Sequence, residues 1–190
     1  MDTVILGAGA AGLFCAGAIL QAKGMAGHRV LVLDHADAPG EKIRISGGGR
    51  CNFTNLASAP DRFLSQNPRF AASALAGFRP AEFVALIDRA GIAWHEKTLG
   101  QLFCDGSARQ VIDMLLNRMR GAELRLNTGV EGVAAQDGGF VITTSGGPVR
   151  AGRVVVATGG KSIPKMGATG FAYDLARQFG LKVVEPRPAL

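Results

Sequence analysis

Aromatic residues make up only 6% of this 190-residue chain, with one Trp and one Tyr. Cysteine is sparse too: Cys15, Cys51 and Cys104 stand far apart and form no CxxC pair. That spacing argues against a thiolate zinc site, a disulfide scaffold and a dithiol reductase, and makes a reducing cytoplasm the expected compartment. No metal site is expected. No run of five like charges occurs and there is no basic tail, so nucleic acid is not the expected partner. A signal peptide and a membrane span are not expected either. Val4 to Gln21 carries no charge, but Asp2 and no Lys or Arg precede it, and four of its residues are Gly. The 27 glycines follow no three-residue period, which excludes collagen, and 47% hydrophobic residues exclude a disordered chain. What remains is a globular chain with a net charge of +6. The surplus suits a phosphate-bearing cofactor, a nucleic acid or an acidic surface, or is simply a solvated arginine-rich face.

The first motif lies at the start. Thr3 to Leu6 reads as a buried strand, and Gly7-Ala8-Gly9-Ala10-Ala11-Gly12 is a complete G-x-G-x-x-G. Leu13 to Ala22 has helical composition, and Arg29 to Asp34 is a second apolar strand ending in an acid. The chemistry follows from this order. Gly7 permits a tight turn, Gly9 admits a pyrophosphate to the backbone, and Gly12 lets the helix pack close to the sheet. The helix start offers free N–H groups to the phosphates. Asp34, 22 residues beyond Gly12, is placed to accept from ribose hydroxyls. His35 rather than Arg follows it, which disfavours a 2′-phosphate. His35 is counted with the cofactor residues and read as a loop residue, not a catalyst.

Two further segments carry chemistry. In Gly40 to Asn55, three consecutive glycines lie among basic and amide side chains. Their N–H groups suit an anion-binding nest, Lys42 and Arg50 suit a diphosphate, and Asn52 and Asn55 suit a polar ring edge. A flexible turn is the alternative. Val154-Val155-Val156-Ala157-Thr158-Gly159-Gly160 reads as a buried parallel strand ending in a glycine turn. Between these segments a helix is expected from Pro80 to about Ala90 and a strand from Trp94 to Lys97. Ser107 to Gln110 reads as a capping box ahead of an apolar helix face. Strands are expected at Glu123–Asn127, Gly129–Gln136, Phe140–Thr144 and Val149–Ala151, with a hairpin turn at Asp137-Gly138-Gly139. Ala172 to Phe179 reads as a helix closed by Gly180.

The Lys42–Asn55 segment, with its SGGGRCN core, resembles the N-terminal part of the bacterial FAD-dependent flavoproteins known as NAD(P)/FAD-dependent oxidoreductases. Aminoacetone-oxidase-like and bile-acid-dehydroxylation-type members belong to that group. The resemblance implies an α/β fold: a Rossmann-like FAD-binding domain with a parallel sheet, flanking helices and an inserted antiparallel β-meander. It implies that Lys42, Ser46, Gly47, Gly48, Gly49, Arg50, Cys51 and Asn52 wrap FAD together with Gly7 to Gly12. It brings the Val130 backbone to the adenine, although an ordinary strand residue explains Val130 as well. Residues 154–160 resemble the ATG signature that follows the meander, adding Ala157, Thr158, Gly159 and Gly160 and favouring FAD over NAD as the bound cofactor. It also implies a substrate- or flavin-facing loop near Leu102-Phe103. The chain departs from the family pattern there at Gln101 and Cys104, and within Lys161–Phe171 at Ile163, Ala168 and Phe171. Residues 1–190 are expected to form the N-terminal part of a two-dinucleotide-binding-type FAD domain. The substrate domain and the C-terminal FAD segment would lie outside it, leaving the fold incomplete.

The expected function is an FAD-binding oxidoreductase passing hydride between NAD(P)H or a small organic substrate and an acceptor. The alternatives are an FAD-dependent RNA-modifying enzyme and a non-catalytic nucleotide-binding module. The scarcity of Trp and Tyr weighs against RNA. No catalytic acid or base is assigned, since His28, His35 and His95 are isolated in sequence. Arg50 beside Cys51 is expected to lower that thiol's pKa, serving either a redox role or packing beside the cofactor.

Overall fold

The computed structural model describes residues 1–161 and 169–187. Most of the Lys161–Phe171 segment, including Ile163 and Ala168, therefore lies outside the described residues. The chain divides into two compact units: Met1–Glu41 with Leu115–Leu190, and Lys42–Met114.

The first unit is built on a four-stranded parallel sheet. Its strands are β1 (Thr3–Leu6), β2 (Val30–Leu33), β6 (Glu123–Arg125) and β10 (Arg153–Val156), in the order β10-β1-β2-β6. β1 and β2 are uninterrupted β-branched and leucine runs, buried at every position, as strands covered on both faces require. Helix α1 (Ala10–Gln21) packs Gly12, Leu13, Ala16 and Gly17 inward. It begins three residues earlier than composition indicates, because the last two glycine-motif alanines already form its first turn.

The opposite face of the sheet is covered by a meander, β7 (Val130–Gln136), β8 (Gly139–Thr144) and β9 (Val149–Ala151), antiparallel throughout. Asp137 and Gly138 both have positive φ, 51° and 74°, the geometry of a type I′ hairpin turn. Val4, Leu6, Leu31 and Leu33 form one core with Val133 and Ile142 of the meander and Leu175 of α6 (Phe171–Gln178). Gly180, with φ 72°, ends that helix as expected.

In the second unit α2 (Glu41–Ile45) leads through a 3₁₀ turn, Ser46–Gly49, into β3 (Asn52–Asn55). The antiparallel sheet there has the order β3-β5-β4, with β4 at Trp94–Glu96 and β5 at Gln101–Cys104. Two short helices, α3 (Ala72–Gly77) and α4 (Pro80–Arg89), precede β4. Phe53 meets Phe83 of α4 and Trp94, with ring centroids 6.1 and 6.3 Å apart. Leu102 and Phe103 are a correction: they form no ligand-facing loop but lie in β5, 0% and 8% exposed, because hydrogen-bonded pairing on both edges buries them. α5 (Ala108–Arg118) opens on the expected capping box. Ser107 Oγ accepts from the Arg109 N–H at 3.2 Å, and Gln110 Oε1 accepts from the Ser107 N–H at 3.1 Å. Met114 and Met119 are buried.

The shared core makes the meander part of the Rossmann unit's stability. Ile142→Ala removes a fully buried side chain and is expected to cost about 2–5 kcal/mol, read from the urea unfolding midpoint at unchanged slope.

Candidate nucleotide-binding site

The parallel sheet reverses its winding at β1. β2 lies on one side of it and β10 on the other. Ligands of open α/β sheets settle in the crevice at such a point, beyond the strand C-termini. Here the Gly7–Gly12 turn leaves β1 and residues 157–160 leave β10. The Ala157 N–H donates to the Leu6 carbonyl at 2.8 Å, and Gly7 lies against the Ala157–Thr158 backbone. The sheet therefore brings two of the expected glycine segments to one place.

The turn is shaped for an anion. Gly9 is the N-cap of α1, no side chain caps the helix, and no acid occupies its first turn. The N–H groups of the first turn have no partner within the helix, and they carry the positive end of its dipole. A Cβ on Gly9 would meet nothing within 4 Å, so a ligand has room to reach the backbone. Gly12 is the opposite case: a Cβ there would overlap the Gly7 carbonyl oxygen. Only a hydrogen fits where helix and strand end touch.

Asp34 ends β2. Its Oδ2 accepts the Ala8 N–H at 2.6 Å and its Oδ1 accepts the Ala36 N–H at 2.9 Å. The carboxylate therefore fixes the glycine turn from behind, a task that spacing alone does not reveal, and its remaining lone pairs are available for ribose hydroxyls. His35 is exposed, with Nδ1 3.4 Å from Asp34 Oδ1. Val130 opens β7 and packs against the common core. Thr158 and Gly159 are exposed, while Ala157 and Gly160 are half-buried.

In the second unit, residues 42–52 are more ordered than a flexible turn. Lys42 is half-buried in α2 and Arg50 is exposed. Ser46 Oγ donates to the Ile43 carbonyl at 2.8 Å and the Ser46 carbonyl accepts the Cys51 N–H at 3.0 Å. Gly47 has φ 59°, and a Cβ there would lie 2.6 Å from Phe103 Cε1. Gly48 and Gly49 also have positive φ. Asn52 and Asn55 are turned to structural tasks. With its amide nitrogen toward the strand carbonyls, Asn52 donates to Leu102 and Thr54 at 3.2 and 3.1 Å. Asn55 donates to the Leu99 carbonyl at 3.0 Å and accepts the Ala57 N–H at 2.7 Å.

Two expectations change. Cys51 is buried, and burial pushes its thiol pKa up although a hydrogen bond with Ser46 pulls the other way. Burial, not the adjacent Arg50, sets the direction of the shift. Cys104 is pushed up to about 11, chiefly by burial, with Cys51 and Asp105 adding to it. The histidines are not isolated. His28 Nε2 meets Thr3 Oγ1 at 2.9 Å. His95 Nδ1 lies 2.6 Å from Asp105 Oδ1, and its ring stacks on Phe103. β4 and β5 bring His95 and Asp105 together, and that pairing was the missing signal. Among the described residues no three His, Cys, Asp or Glu side chains gather as metal ligands. No described helix is long and apolar enough to cross a membrane.

Residues 1–187 match the HI0933-like protein Rossmann domain. The chain belongs to that family. Over its whole length this HI0933-like chain is 50% identical to the ribosomal RNA dihydrouridine synthase of Escherichia coli (strain K12) and covers 47% of that protein. It is 33% identical over 98% of its length to the 3-dehydro-bile acid delta(4,6)-reductase of Clostridium scindens, covering 46% of it. The chain thus spans about half the length of the curated relatives it matches. The halogenase PltM, solved with phloroglucinol and FAD, shares the fold at TM-score 0.50 and 23% identity, over 97% of this chain and 37% of that one.

Gly12→Ala is expected to destabilise the fold by about 1–3 kcal/mol, the usual penalty of overpacking, with loss of nucleotide binding. Gly9→Ala, which meets no clash but is a poorer N-cap, should lower the thermal midpoint far less than Gly12→Ala while weakening the nucleotide. Thermal melts and nucleotide titrations of the two variants test the contrast. The buried Cys104 keeps its proton in the folded state until about pH 11, whereas the unfolded thiol loses it from its ordinary 9.0. Stability is therefore full below pH 9 and declines between pH 9 and 11. Urea unfolding at stepped pH in wild type and Cys104→Ala isolates this share.

Proposed function

We propose that this chain is the FAD-binding part of a flavin-dependent oxidoreductase. The observation that carries the reading is the uncapped start of α1 at the winding reversal of the sheet, open at Gly9 and braced by Asp34. Gly7 to Gly12 would hold the pyrophosphate, Asp34 and His35 would lie toward the ribose, and Val130 toward the adenine. Ala157 to Gly160 would complete this edge. The resemblance gives Lys42 and Ser46 to Asn52 the same task, contact with FAD. When bound, FAD supplies hydride transfer. The chain's own residues bind and orient it. A substrate domain and a C-terminal FAD segment would belong to the remainder of a longer protein, and three free thiols support a cytoplasmic location.

The substrate we propose is uridine in ribosomal RNA, whose C5=C6 bond would gain a hydride and a proton. Half of all positions identical to a protein of that name, across the full chain, is the support. The bile-acid reductase relative, at 33%, supports reduction of a conjugated double bond in a small molecule and is the weaker reading. The partner expectation changes accordingly: composition argued against a nucleic-acid partner, and the relatives favour one.

The natural full-length protein is expected to be yellow and to release FAD on denaturation. A strain lacking it should lose dihydrouridine from its ribosomal RNA, restored by the wild-type gene, as read by mass spectrometry of nuclease-digested RNA. Unchanged dihydrouridine with bound FAD would reject RNA and retain the flavoprotein. Absence of flavin would reject both.

A further inference from the structure

We infer that the segment from Pro60 to Arg79 is a docking surface for unstacked RNA nucleotides, a proposal that rests on the RNA reading above. Residues 56–79 contain Arg62, Arg69 and Arg79 against a single acid, Asp61. Each arginine is directly adjacent to a phenylalanine: Arg62-Phe63, Arg69-Phe70, Phe78-Arg79. Trp and Tyr are scarce in this chain, so phenylalanine is its available aromatic surface.

Two of these rings, Phe63 and Phe70, are not spent on a core. Phe63 is 48% exposed, Phe70 79%, and Leu64 between them 94%. Phenylalanine ordinarily lies inside, and a merely solvated charged face gives no reason for it to stand out. The backbone holds the pair at Arg69-Phe70 in place. Ser65 Oγ accepts the Asn67 N–H at 3.0 Å, Asn67 Oδ1 accepts the Arg69 N–H at 3.2 Å, and the Asn67 carbonyl accepts the Phe70 N–H at 3.0 Å. A turn already ordered loses little freedom on binding. Phe78 is steadied against Phe83.

Arg79 is paired with Glu82 at 3.5 Å, whereas the other two charges are available. Arg69 has no acidic side chain within 4 Å among the described residues, and Arg62 meets only the well-exposed Asp61 at 4.0 Å, a pair of little strength in water. Unstacked RNA offers what this surface lacks: bases to lie on aromatic faces, and phosphates for the adjacent guanidinium groups. An acidic protein surface would satisfy the arginines but not the rings. An apolar one would satisfy the rings and strand the arginines.

The test uses the natural full-length protein and a short single-stranded oligoribonucleotide of ribosomal sequence, with the matched duplex as control. Phe63→Ser with Phe70→Ser is expected to weaken single-strand binding about tenfold for each ring, the scale of one stacked base. Arg62→Gln with Arg69→Gln should lower the slope of log affinity against log salt by about 0.7 per arginine. Flavin content and thermal midpoint should stay at wild-type values in both. If wild type binds RNA and the variants bind equally well, the surface is wrong and the RNA reading stands. A wild type that neither binds RNA nor restores dihydrouridine overturns both. Loss of flavin or of thermal stability in the variants would assign the patch to an internal contact with the remainder of the protein and overturn docking.

Discussion

One contact governs the Rossmann unit: the backbone of α1 at Gly12 against the carbonyl of Gly7. That approach sets how closely the helix lies over the Ile5 face of the sheet, and so where its first N–H groups point. Asp34 holds the same turn from the neighbouring strand through the Ala8 N–H. β10 supplies the other wall, tied to β1 through the Ala157–Leu6 hydrogen bond. The meander and α6 then fill the opposite face. The candidate site thus depends on packing more than on any chemically distinctive side chain, as suits a cofactor that brings its own reactivity.

Much of this unit was legible because its signals are local. Val-, Ile- and Leu-rich runs of four residues read as strands, buried in β1 and β2 but not in β10, an edge strand where Val156 stays 42% exposed. The Asp137-Gly138 turn and the Gly180 stop announce themselves by residue type. The acid after β2 was found by spacing, and its structural duty to Ala8 was not, because that bond joins residues 26 positions apart.

The second unit was read less well, for different reasons. β3 is Asn-Phe-Thr-Asn, a polar sequence whose strand character comes from pairing with β5. β5 itself lies between two turns and offers no alternation long enough to read. α3 is alanine-rich without an apolar stripe. Local charge misled at Cys51, where Arg50 stands next in sequence but burial decides the thiol's behaviour. His95 and Asp105 looked unrelated until two short strands set them side by side.

The sheet order also governs how the chain can assemble. β1 lies between β2, which follows within about 30 residues, and β10, which pairs Arg153 with Thr3. During synthesis the first strand therefore waits for roughly 150 residues with one edge unpaired, while the entire second unit emerges. Parallel pairing across such a separation is slow, and an open apolar edge is the feature that drives misassembly. A nascent chain stalled before β10 would thus leave the outer edge of β1 exposed, making this interval of translation the one in which a chaperone has most to protect.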